Sequence, residues 1–131
     1  MAKTKILVVS RDSELVRFLK KELSENSYQL IYTQYTREEL RDVIHRAFPD
    51  LVIVDVMMPS LDGIEISLQI RQWSQVPIIM LSAWEAEQGS VRRFDLSAES
   101  YLSEPLGTYE VIALVESALR NNSTVPAISL S

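Results

Sequence analysis

Four short apolar runs in this 131-residue chain each end in residues that can carry charge or donate a hydrogen bond. Residues 6–9 lead into Ser10-Arg11-Asp12, residues 51–54 into Asp55, residues 77–81 into Ser82, and residues 101–103 into Glu104-Pro105. Where such runs are parallel strands of one open sheet, their carboxyl ends face a single crevice. One arginine against two carboxylates leaves Ser10, Arg11, Asp55 and Glu104 with a formal charge of -1. That set suits ion pairing and charge-assisted hydrogen bonding. Other chemistries are poorly supplied. The chain has no cysteine, which removes thiol nucleophiles and thiolate zinc sites. His45 is the single histidine, with no second ligand near it in sequence, and reads as a surface residue. Three glycines form no G-x-G-x-x-G loop, so a flavin or nucleotide enzyme is set aside.

The elements that must carry these residues follow from periodicity. The β-branched runs at 5–10, 28–33, 51–55 and 76–82 read as strands, and 100–103 as a short fifth one. The run at 51–55 is almost wholly apolar, as a strand buried on both faces of a parallel sheet requires. Leu15, Val16, Phe18, Leu19 and Leu23 fall at helical spacing. Asp12 stands before them, placed to cap that helix. Thr36 to Glu39 forms a capping box for a second helix, with Leu40, Val43, Ile44 and Ala47 inward and Pro49 stopping it. Further helices are expected over 63–73, 84–96 and about 108–120, with Gly89 a weak point in the fourth. Strict alternation with right-handed crossovers gives an α/β doubly wound sheet with helices on both faces.

Length and composition suit one globular domain of 47% hydrophobic and 24% charged residues. A net charge of -5 disfavours direct nucleic-acid binding, which needs clustered basic residues. No apolar run is long enough to span a bilayer and no signal-peptide pattern opens the chain, so a cytoplasmic protein without membrane contact is expected. Residues 1–121 are expected to form the domain. Residues 122–131 are polar and contain Pro126, and read as a linker stub or disordered tail.

The segments IVDVMMP (53–59), Leu61-Asp62-Gly63, PIIMLSA (77–83) and SYLSEP (100–105) resemble the motifs of response-regulator receiver domains of two-component signalling. The resemblance covers residues 4 to about 120. The stretch from Arg71 to Pro77, with LSA after it, is similar to receivers of winged-helix DNA-binding regulators. It implies a flavodoxin-like (βα)5 parallel sheet in strand order 2-1-3-4-5. It further implies that Asp55 is the phosphoacceptor position, served by a histidine kinase, with Ser82 and Tyr101 as switch positions. In that family Mg²⁺ is held by an acidic pair after the first strand, by the acceptor and by a carbonyl two residues beyond it, here Met57. A lysine after the fifth strand contacts the phosphoryl oxygens.

This chain departs from the pattern at each charged partner. Ser10 and Arg11 stand for the acidic pair, Glu104 stands for the lysine, and Asp12 is one residue late for a metal role. A phosphoryl group on Asp55 would bring about two negative charges beside Glu104. The expected arrangement has Arg11 turned into the crevice, bridging Asp55 and Glu104 where a metal would stand. Ser82 also fits a helix cap, Tyr101 a cover for the sheet edge, and Trp84 an interface residue.

The expected function is an atypical receiver, not an enzyme, that works without phosphorylation, without a metal or other cofactor. It would act as an interaction module for a transcriptional output domain. A homodimer is expected through the face made by the fourth helix, fifth strand and fifth helix. The alternative is a phosphorylatable receiver that takes a phosphoryl group on Asp55 from a histidine kinase, with Mg²⁺ gathered by Asp12 and Asp55.

Overall fold

Successive residues of each central strand serve two different cores, which sets the layers of the molecule. The computed structural model describes residues 3–33, 37–55, 62–85, 90–94, 102–106 and 108–122, with side chains in 3–33, 40–55, 63–81 and 110–120. Strand β1 (Lys5–Val9) is followed by α1 (Ser13–Glu25), β2 (Gln29–Thr33), α2 (Arg37–Ala47), β3 (Leu51–Asp55) and α3 (Asp62–Trp73). Then come β4 (Ile78–Glu85), β5 (Ser90–Phe94), β6 (Leu102–Leu106) and α4 (Thr108–Asn122).

Ile6 and Val8 of β1, Leu51 and Ile53 of β3, and Ile79 and Leu81 of β4 point to one side. There they meet Leu15, Leu19 and Leu23 of α1 and Val111, Ile112 and Val115 of α4. Leu7, Val9, Val52 and Val54 point the other way, onto Leu40 and Ile44 of α2 and Ile66 and Ile70 of α3. This is the period of two of a pleated strand. It explains why β3 is buried at all five positions.

The sheet order is β2-β1-β3-β4-β5-β6. The first four strands pair in parallel, in the expected order 2-1-3-4 with helices on both faces, which is the flavodoxin-like core. The carboxyl-terminal part departs from expectation. Instead of a helix over 84–96, β4 runs on to Glu85 and β5 pairs with it antiparallel. Val91 and Phe94 bring β propensity. The expected fifth strand corresponds to β6, which pairs antiparallel with β5 and therefore stands one place further out.

Asp12 caps α1 as expected, its Oδ1 accepting from the amides of Glu14 and Leu15 at 2.9 and 3.2 Å. The other end of α1 closes through Ser27, whose φ is 71°. Its amide donates to the Ser24 carbonyl and that of Tyr28 to the Leu23 carbonyl. Phe48, at φ 50°, ends α2 with its amide donating to Ile44. The capping role of Thr36, the Met57 carbonyl, Tyr101 and the tail from 123 lie outside the described residues; α4 itself runs to Asn122. Among the described residues no helix is long and apolar enough to cross a membrane.

Candidate functional site

Val9 of β1 lies opposite Val54 of β3, so the next residues, Ser10 and Asp55, leave the two strands side by side. Both are buried, Ser10 at 0% and Asp55 at 3% exposure. The Ser10 hydroxyl donates to Asp55 Oδ2 at 2.9 Å. The same Oγ accepts the backbone N–H of Asp12, also at 2.9 Å. One hydroxyl thus joins the end of β3 to the residue that caps α1.

A buried carboxylate needs hydrogen-bond partners or a counter-charge, and Ser10 supplies a neutral donor at the place where the family resemblance calls for an acid. Asp12 serves α1 instead. One of its carboxylate oxygens is engaged by the first turn of α1, and its carbonyl accepts from the Val16 amide at 3.1 Å. Arg11, between them, is exposed. Among the described residues no group of three or more His, Asp or Glu side chains is placed to hold a metal ion.

The remaining site positions are reached only through their backbone. Ser82 follows Leu81, the register partner of Asp55, and its own partner on β5 is Arg92. Glu104 lies in β6. The side chains of Ser82, Trp84 and Glu104 lie outside the described residues, and with them the Arg11 bridge to Glu104. His45 is an exposed residue of α2, as expected. The structure therefore brings together Ser10, Asp55 and Asp12. The bond between the first two was missed by reasoning from residue types, which treated Ser10 as a lost ligand. Pairing the ends of the two apolar runs at 6–9 and 51–54 would have found it.

A model of the response regulator receiver domain matches residues 6–116, and the chain belongs to that family. Solved structures similar to it include the N-terminal domain of the nisin resistance regulator NsrR, a lantibiotic response regulator. That match has 25% identity and a TM-score of 0.67, over 91% of this chain and 100% of the other. The non-phosphorylated HemR receiver domain from Leptospira biflexa is also 25% identical, with a TM-score of 0.66 over 95% and 99% of the two chains. A CheY-like receiver from Methanospirillum hungatei JF-1 is 17% identical with a TM-score of 0.70 over 93% and 98%, a likeness of fold. The chain is thus a receiver domain of two-component signalling, a class of signalling module rather than of enzyme.

Proposed function

We propose that this receiver works without phosphoryl transfer, as a protein-interaction module that governs a transcriptional output domain beyond 121. The observation that carries the reading is the buried Ser10–Asp55 hydrogen bond of 2.9 Å. Mg²⁺ takes a nearly octahedral set of hard oxygens, keeping several waters and binding the protein through one or two carboxylates. Here the β1 end offers a hydroxyl already donating to Asp55, then a permanent cation, and the Asp12 carboxylate is engaged by α1. This donor set does not fit the ion. Asp55 acts as a structural anion held by Ser10, with Arg11 as the neighbouring cation that pairs with Asp55 and Glu104.

Partner binding in this reading uses the side of the sheet that carries β5, β6 and α4, the counterparts of the fourth helix, fifth strand and fifth helix. The partner is a second copy of the chain. A cytoplasmic regulator that leaves DNA contact to its output domain agrees with the net charge of -5.

The test is incubation with acetyl phosphate and Mg²⁺, followed by intact-mass measurement. The expected result is no adduct. A stoichiometric phosphoryl adduct that disappears in Asp55→Asn would establish the other reading, a receiver phosphorylated by a histidine kinase.

A further inference from the structure

The bonds at Ser10 do more than fill a ligand position. Asp55 Oδ2 accepts from Ser10 Oγ, and Ser10 Oγ accepts from the Asp12 amide. Asp12 Oδ1 in turn accepts from the amides of Glu14 and Leu15, and the Asp12 carbonyl accepts from Val16. The path from the buried carboxylate to the first turn of α1 is continuous, and one hydroxyl is its narrowest part. A serine hydroxyl has a single hydrogen to donate, and here that hydrogen goes to Asp55.

We infer that Ser10 is a positioning residue that couples the state of Asp55 to the amino terminus of α1. A carboxylate accepts more strongly than a neutral oxygen. Any event that removes the charge on Asp55 therefore weakens the bond that orients the Ser10 hydroxyl. The loosened hydroxyl then holds the Asp12 amide less firmly, and Asp12 is the cap on which the first helical turn depends. The effect stays local. Further along α1, Leu19 and Leu23 are fully buried against the sheet and are held by packing that does not involve Ser10. The first turn responds and the middle of the helix does not. The exposed helix start bearing Arg11, Ser13, Glu14 and Arg17 is thus the part of the surface that responds to the state of Asp55.

This coupling goes beyond the proposed function and does not depend on it. It holds whether the charge on Asp55 is removed by a proton or by substitution. Its test uses no phosphoryl donor, so it can fail or succeed independently of the adduct experiment.

The experiment compares Asp55→Asn in two backgrounds, wild type and Ser10→Ala, by amide hydrogen exchange resolved at single residues. With Ser10 present, Asp55→Asn is expected to speed exchange at Asp12, Glu14 and Leu15 on the order of fivefold, the scale of one weakened hydrogen bond. Leu19 and Leu23 should be unchanged. In the Ser10→Ala background the same substitution should leave Glu14 and Leu15 unaltered. An equal response in both backgrounds, or none with Ser10 present, overturns the inference. If Ser10→Ala does not fold, Ser10→Cys keeps the side-chain shape with a much weaker donor and gives the same comparison. Glu14 and Leu15 do not touch Ser10 directly, so a merely local loss of the Ser10 bond would not reproduce the dependence on background.

Discussion

Ser10 and Asp55 close the ends of neighbouring parallel strands and share one buried hydrogen bond, so a neutral hydroxyl donates directly to the Asp55 carboxylate. Restoring charge there should restore a cation site. Arg11→Asp with Glu104→Lys returns two positions to the family pattern, and Ser10→Asp completes the acidic pair. Added carboxylates beside a buried Asp55 repel one another without a counter-ion. The triple variant is therefore expected to unfold at lower urea concentration than wild type, and to regain stability as Mg²⁺ is added. Wild type should show no such dependence. Identical Mg²⁺ responses in the two proteins would count against the charge-reversal account.

Two helices end on residues forced into the left-handed region without glycine. Ser27 and Phe48 have φ of 71° and 50°. A side chain there costs roughly 1–2 kcal/mol, while glycine costs roughly 0.5–1 kcal/mol more in unfolded-state entropy. The difference favours glycine. Ser27→Gly and Phe48→Gly should each stabilise the fold by about 0.5 kcal/mol or slightly more, read from urea midpoints. Phe48 is 78% exposed, so its loss removes little burial. A drop in stability for Ser27→Gly would mean the closing bonds to Ser24 and Leu23 do not carry that turn.

The antiparallel pairing of β4 with β5 can be tested without background thiols, since the chain contains no cysteine. Ala83 and Val91 are register partners. Residues directly opposite on antiparallel strands hold their Cβ atoms about 4.5–5.5 Å apart, close enough for a disulfide with small adjustment. Ala83→Cys with Val91→Cys should cross-link under mild oxidation, seen as a faster-migrating band without reductant. A helix over 84–96 would keep the two apart, and an absence of cross-linking at equilibrium would restore that helix.

The parts of the fold that could be read from residue order are those fixed by local chemistry. The apolar runs at β1 and β3 announce strands buried on two faces, and Asp12 before Leu15 announces a cap. Pro49 announces the end of α2, but the left-handed turns at Ser27 and Phe48 were not readable, because neither residue is glycine and each side chain disfavours that conformation. Residues 84–96 misled for the opposite reason. A helix was expected there, but Ser90–Phe94 forms a strand because it pairs with β4, a partner that spacing does not reveal. The Ser10–Asp55 bond belongs between these cases. Each residue was identifiable as a site position, but their contact depends on the register of two strands far apart in sequence.

Tyr28 gives the fold an alkaline limit. It begins the turn into β2 and packs partly buried beside α1 and α4. Burial raises its phenol above the ordinary tyrosine value of 10.0, Glu116 adds to the rise, and Arg120 opposes it. A folded-state value above the unfolded one means that the neutral phenol stabilises the native state. That contribution is fully present below pH 10 and is lost as the pH climbs through the raised value. Wild type should therefore lose stability between about pH 9 and about pH 11 more steeply than Tyr28→Phe, which has no phenol to ionise. Glu116→Gln should shrink the difference, because it removes the repulsion that a phenolate would meet. Arg120→Gln should enlarge it. Urea midpoints for the four proteins at the two pH values decide the matter, and parallel curves for wild type and Tyr28→Phe would show that this phenol ionises alike in both states.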